Sequence, residues 1–300
     1  MDEAGIILRA SQPPNARHKA IDEYAHALGF EDDPYLTAFG MKSVHLGIER
    51  AQGYVVVLYM KLGGTNWTLQ QPVPLIQSAP TIIIGADVEA LRVTSTSFRI
   101  CVLAYYARTK CKPERVLYYR NGVSEGQQFD VLQAEMRALV KAFKMISEHY
   151  RPPVTFVVAN KRHHLRAFPV ESRDADHMGN AVPGTVIDAG VVDPHRFDFY
   201  LYGHGVIPLG TKVPCHYTVL HDENNLSADD ITRLAYHLGY TVSRSSHSVA
   251  VVAPLQYARL ARLFLKEGSA VEGDASDSAN SPQFELAEVH GNVKNAMFYI

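Results

Sequence analysis

Residues 110–128, KCKPERVLYYRNGVSEGQQ, constrain the fold more tightly than any other stretch of the chain. Residues 115–119 carry the apolar and aromatic side chains of a buried strand, Asn121-Gly122 reads as a turn, and the polar residues beyond it open a helix. A strand that passes straight through a turn into a helix is the repeating unit of a parallel α/β sheet. Such sheets present their chemistry where the strands end, so residues 120–127 sit where a ligand or a reacting group is expected.

The rest of the chain supplies further units of the same kind. Residues 5–8 and 53–62 read as strands and 18–28 as a surface helix, and the paired glycines of KLGGTNW permit a turn that residues with a Cβ would resist. Residues 70–80, QQPVPLIQSAP, are broken by proline and mark a domain boundary. Beyond it, residues 81–88, TIIIGADV, form a β-branched run suited to a strand covered on both faces, and the run brings Asp87 to the strand's carboxyl end. Residues 92–109 place Phe98, Val102 and Tyr105 at helical spacing, although Val93-Thr94-Ser95-Thr96 makes a poor helix start. In residues 129–149, Leu132, Met136, Leu139, Phe143 and Ile146 line one helical stripe. Strands follow at 154–158, 196–202 and 216–220. Ser227 is placed to cap a helix that buries Ile231, Leu234, Ala235 and Leu238, and Pro254 opens the next helix in its first turn. Residues 268–282, rich in Ser, Ala, Asp and Gly, are expected to form a disordered insertion.

Composition narrows the function classes. The 300 residues suffice for one large or two medium domains, and a net charge of −2 means that any nucleic acid must be held by a local basic surface rather than by a generally cationic body. Cys101, Cys111 and Cys215 lack paired spacing, which suits free thiols in a reducing compartment. The acidic start MDEAGIILRA and the absence of a long apolar run point away from a membrane and toward the cytoplasm or nucleoplasm. Taken alone, Lys161, Arg162, His163, His164 and Arg166 are better explained by a solvated surface than by a ligand, and Asp87 as well by a structural role as by a chemical one. His163 and His164 do not converge on one metal, because adjacent residues of a strand face opposite ways. Glu125 reads as a cap for the helix after the turn rather than as a metal ligand.

Several separated blocks fall in one order: KLGG, IIIGADV, KPERVLYYRNGVSEGQ, VTFVVANKRHH, FDFYL and HYTVLHDENNLSADDI. In that order they resemble the eukaryotic Argonaute family, in its fungal branch. The resemblance implies an α/β chain in which a partial, Rossmann-like MID portion over residues 1–75 is followed by an RNase H-like Piwi domain over 76–300. The N-terminal and PAZ domains of a complete Argonaute would be absent. The family carries a long hairpin between the IIIGADV strand and the next glutamate, which this chain nearly omits: Glu89 follows Asp87 with only Val88 between them. Part of the Piwi sheet would then be missing, leaving strand 81–88 as an unprotected edge.

The resemblance also assigns site residues. The family's cleavage chemistry uses carboxylates and a fourth acid or histidine to hold two divalent metals, Mg or Mn, across the scissile phosphate. Asp87 matches the first position and is the candidate metal ligand, and Glu89 is a remnant of the glutamate position. Asn121 stands where the family has aspartate, and Tyr240 where it has histidine. An amide offers a neutral carbonyl in place of a charged ligand, so guide binding without cleavage is expected. The binding side is better kept. Lys61, Arg244 and the terminal Ile300 match the pocket for a guide's 5′ phosphate, while Lys161, Arg162, His164, Arg166, Thr211 and Lys212 match the surface along the guide backbone. Against this, Val57 replaces a pocket lysine, and His18, Asp22 and Lys42 fit that pocket loosely. The partners implied are a single-stranded small guide RNA, a complementary RNA, and a tryptophan-rich silencing protein.

Overall fold

The computed structural model describes residues 73–87, 93–205, 210–243, 245 and 247–268. All of them belong to one compact unit spanning Leu69–Leu286. A single helical turn, α1 (Pro74–Gln77), leads into β1 (Thr81–Asp87), α2 (Ser95–Thr109), β2 (Arg115–Asn121), α3 (Gln128–Ile146) and β3 (Val154–Asn160). The chain continues through β4 (Thr185–Ile187), β5 (Asp198–Tyr202), β6 (Cys215–Asp222), α4 (Ala228–Gly239) and α5 (Ala253–Gly268). The six strands form one sheet in the order β1-β2-β3-β6-β5-β4. β1, β2 and β3 run parallel, and the remaining pairs are antiparallel.

Alternation along the strands separates two cores. Leu117, Tyr119, Val157, Ala159, Phe199, Leu201 and Tyr217 point to one face, which α4 covers with Ile231, Leu234 and Leu238 and α5 covers with Leu255. Ile82, Ile84, Val116, Tyr118, Phe156 and Val158 point to the other, against Phe98 and Val102 of α2 and Leu139, Ala142 and Phe143 of α3. Both parallel crossovers place their helix on this second face, which keeps β1, β2 and β3 side by side with their carboxyl ends together. Gly85 lets α5 approach β1 closely. A Cβ there would lie 2.2 Å from the Pro254 carbonyl oxygen, so any side chain would push the helix off the sheet.

Local chemistry revises several sequence expectations. α2 starts despite its β-branched opening because Thr94 acts as N-cap, its hydroxyl accepting from the Ser97 amide at 3.2 Å. Ser227 caps α4 as expected, accepting from the Asp230 amide at 3.1 Å. β2 and β3 each run further than the apolar run alone suggested, to Asn121 and Asn160. β5 begins at Asp198 rather than at 196, and the Arg196 side chain donates to Gln128 at the start of α3. Strand β4, three residues long, had no clear signal in the sequence. Gly268 closes α5 rather than opening an insertion, and the rest of residues 268–282 lies outside the described residues. Among the described residues β1 pairs with β2 alone and is an edge of the sheet. No described helix is long and apolar enough to cross a membrane.

Candidate nucleic-acid interface

The carboxyl ends of the three parallel strands meet in one row. Asp87 is the register partner of Asn121, and Asn121 is in turn the partner of Ala159, two residues before Lys161. The sequence's first metal-ligand candidate and the amide that replaces the second are therefore neighbours on adjacent strands. Gly122 turns the chain immediately after this row at φ +68°, a backbone conformation that a residue with a Cβ adopts only at a cost, which explains the Asn-Gly pair. Its amide donates to the Ala159 carbonyl at 3.3 Å and ties the turn to β3.

Behind the row lies a buried ion pair. Arg120 Nε is 3.0 Å from Glu135 Oε1 and its Nη1 donates to the Asn121 carbonyl, while the Tyr118 hydroxyl donates to Glu135 Oε2 at 2.7 Å. The Arg120 and Glu135 side chains are 8% and 9% exposed. Burial and the neighbouring Glu135 carboxylate push the Tyr118 phenol well above its usual range, so it serves only as a donor. The network pins α3 to β2 and fixes the strand end that carries Asn121.

Among the described residues, the donor set at the row does not suit a two-metal site. Asn121 brings a neutral oxygen, and among the described residues no group of three or more His, Cys, Asp or Glu converges to hold a cation. Tyr240, at the end of α4, is exposed, and its hydroxyl lies 2.7 Å from that of Tyr236 on the same helix. Glu89 lies outside the described residues, as do Lys61, Arg244, Ile300, Val57, His18, Asp22 and Lys42. Glu125 opens a one-turn 3₁₀ helix (Glu125–Gln127) with no side-chain cap, so its expected capping role is not made by its carboxylate.

Past Asn160 the basic run leaves the sheet. Residues 161–166 form a loop rather than the strand that the His163-His164 reading assumed. Exposure nevertheless alternates along it: Arg162, His164 and Arg166 face solvent while His163 and Leu165 are half-buried. The Asn160 side-chain oxygen accepts from the Arg162 amide at 2.8 Å and starts the turn. His163 Nε2 donates to the Pro214 carbonyl at 3.0 Å, and its ring meets Tyr200 edge-on, with Tyr200 stacked on His216. His216 is in turn fixed by Asp198 at 2.5 Å. Burial lowers the His163 pKa further than its bond to Pro214 raises it, so at neutral pH His163 is an uncharged wall of the loop and not one of its cations. Lys161, Arg162, His164 and Arg166 have no carboxylate partner among the described residues. Arg166 donates to the His163 and Leu165 carbonyls and so also shapes the loop.

Lys212 corrects the expectation that it lines the same surface. Its side chain is 0% exposed, with Nζ 2.8 Å from Asp176 Oδ2 and donating to the Ala181 carbonyl at 3.2 Å. The bond from Lys212 holds the Asp176 carboxyl down at about 2. Asn180 completes the socket, accepting from the Lys212 amide and donating to the Gly210 carbonyl. Lys212 thus anchors its loop, and exposed Thr211 is the member of the expected pair that remains accessible. His204 was not singled out in the sequence. It is half-buried, and burial, with Lys161 and Lys212 nearby, lowers its pKa to about 4. Two glycines flank it in the sequence, and Gly205 has little room for a side chain, since a Cβ would meet His247 at 3.3 Å.

The family model for the Piwi domain matches residues 89–267. The chain belongs to the Argonaute/Piwi family. Its relatives include argonaute 11 of Oryza sativa, 47% identical over 205 residues that take in 63% of this chain and 23% of the rice protein. Argonaute 10 of Arabidopsis thaliana is 40% identical over 311 aligned positions, covering 80% of this chain and 31% of that protein. That alignment is longer than the chain itself, so the Arabidopsis protein carries, within the matched stretch, residues with no counterpart here. Among solved structures, the C-terminal lobe of a budding yeast Argonaute superposes with a TM-score of 0.73 at 25% identity, over 85% of this chain and 61% of that one. Kluyveromyces polysporus Argonaute with a guide RNA gives 0.73 and 25%, over 88% and 35%. The six-stranded mixed sheet is thus that of an RNase H-like Piwi domain. This Argonaute-family chain spans less than a third of the length of either of those two plant relatives. With plant proteins at 40–47% identity and the yeast lobe at 25%, the fungal placement has no support.

Proposed function

We propose that this chain is the MID and Piwi portion of a cytoplasmic Argonaute-type silencing protein that holds a small single-stranded guide RNA, with a complementary RNA paired to it, and does not cut. The observation that carries this reading is the contrast along one row of strand ends. Asp87 faces a neutral amide at Asn121, while two residues past Ala159 begins a loop of exposed cations without carboxylate partners among the described residues. Phosphate contacts from Lys161, Arg162, His164 and Arg166, with Thr211 beside them, would position an RNA backbone without reading its bases. The Kluyveromyces polysporus relative, solved with a guide RNA, supports the choice of ligand. Lys61, Arg244 and Ile300 are the residues assigned to the 5′ phosphate.

The test is binding of a 5′-phosphorylated single-stranded RNA at rising salt. Affinity should fall with a log–log slope of about −0.7 per phosphate neutralised. Affinity no better than that of the Lys161→Ala, Arg162→Ala double variant would overturn the reading. The alternative is a Mg- or Mn-dependent endoribonuclease built on Asp87 and Glu89. Incubation with guide, matched target and either ion decides between the two: product that disappears in Asp87→Ala favours the enzyme. The Asn121→Asp variant, which restores an anionic oxygen beside Asp87, should bind Mn more tightly than wild type and leave RNA affinity almost unchanged. The tryptophan-rich silencing partner belongs to the same reading, and failure of a Trp-bearing peptide to retain the chain would remove it.

A further inference from the structure

At the far end of β3 from the basic loop, α3 and the last residues of β6 enclose a groove of about 600 Å³. Its floor is aliphatic, made by the half-buried Leu132, Met136 and Val140 of α3. Along its rim stand Arg137, Lys141 and Lys144, at the i, i+4, i+7 spacing that lines up side chains on one side of a helix. All three are exposed and none has a carboxylate within ion-pair distance among the described residues. The opposite wall holds one acid, Glu223, and it is already engaged: Arg151 reaches it at 3.1 Å, His221 lies 3.4 Å away, and the Val154 amide donates to it. An incoming anion therefore meets a positive rim above an apolar floor.

We propose that this groove docks an acidic amphipathic helix of a partner protein. Three features select that occupant. The cations repeat at a helical period over roughly 10 Å of α3, so a helix laid along it can offer carboxylates at matching intervals. The floor offers Leu and Val side chains and an adaptable Met thioether, which suit aliphatic anchors at i, i+4 and i+7 of the partner. The lining contains no Phe, Tyr or Trp on which bases could stack, which disfavours single-stranded nucleic acid as the ligand. The groove is separate from the row at Asp87 and Asn121 and does not depend on the guide-binding reading.

The probe is a fluorescein-labelled synthetic peptide of about four helical turns, with Leu along one face and Glu flanking it, titrated against the full 300-residue chain by anisotropy. Saturable binding is expected. It should weaken about tenfold or more in Arg137→Glu, Lys141→Glu, Lys144→Glu, whose melting temperature should match wild type because the three side chains are exposed and have no carboxylate partner among the described residues. Val140→Asp, which places a carboxylate in the floor, should weaken it comparably. The proposal is overturned by no saturable binding, by binding that survives the triple reversal, or by a composition-matched scrambled peptide that binds equally well. A short single-stranded RNA that displaces the peptide at equal concentration also overturns it, since the face would then be a nucleic-acid surface.

Discussion

The loop after β3 and two buried sites, one behind β2 and one in the loop before β6, hold the same kinds of side chain and use them in opposite ways. Arg162 stands in solvent and Lys161 is exposed though partial burial lowers its pKa, and neither has a carboxylate partner among the described residues, whereas Lys212 and Arg120 are buried and each grips a carboxylate, Asp176 and Glu135. A cation in water keeps its hydration until a phosphate displaces it, so it is available to a ligand. A buried one has lost its hydration and must be satisfied by the fold itself. The difference separates a binding residue from a structural one more reliably than residue type or position in a basic run.

The largest expected effect tests the exposed half of this contrast. Lys161→Glu with Arg162→Glu should cut affinity for single-stranded RNA by about a hundredfold at ~0.1 M salt and flatten the salt slope by roughly 1.4, with little change in the melting temperature. A large loss of stability would show that the loop cations serve the fold after all, and the contrast would fail. Next comes the buried half. Glu135→Ala leaves Arg120 charged and without its acid, and deprives the Tyr118 hydroxyl of its acceptor, so urea denaturation should report a loss of about 3–5 kcal/mol. RNA affinity per folded molecule should not change.

A third prediction uses pH to sharpen the same division. Asp176 is held at about 2 by the bond from Lys212, below the ordinary carboxylate range. Its contribution is therefore complete above pH ~4 and is lost as pH falls through about 2, because the unfolded chain takes up the proton first. Thermal melts of wild type should show this acid-side decline, and Lys212→Met should lower stability at neutral pH and flatten the decline. The salt slope for RNA should be the same in both proteins. A reduced slope in Lys212→Met would restore Lys212 to the binding surface.

The division also accounts for what the sequence could show. Strand, turn and helix were readable around Asn121 because burial, the positive φ of Gly122 and the amphipathic stripe of α3 are local properties with local signatures. The pairing of Asp87 with Asn121 was approachable because parallel strands end together. Lys212 was misread for the opposite reason. Its partner Asp176 lies 36 positions away on a turn closed by Gly179, and nothing near Lys212 in the sequence announces that a carboxylate will be waiting. The same holds for His163, whose neutrality depends on Pro214 and on the Tyr200–His216 stack contributed by two other strands. β4 escaped notice because a three-residue edge strand has too few residues to display a period.

His204 lies where the two kinds of cation meet, since Lys161 of the exposed loop and Lys212 of the interior both help lower its pKa to about 4, after burial. Below pH ~6.5 the unfolded chain protonates this position before the folded one does, so stability should fall as pH drops toward 4, and His204→Gln should remove that part of the fall. An RNA phosphate drawn to Lys161 would offset that lysine's charge but leave Lys212 untouched, and would raise the His204 pKa by only part of its depression. RNA binding should then take up a fraction of a proton between pH 4 and 6.5, strengthening severalfold at most as pH falls across that window. Affinities measured in wild type and His204→Gln across that range should separate toward acid. Curves that stay parallel would mean that no phosphate comes near Lys161, and the exposed cations would lose their claim to the ligand.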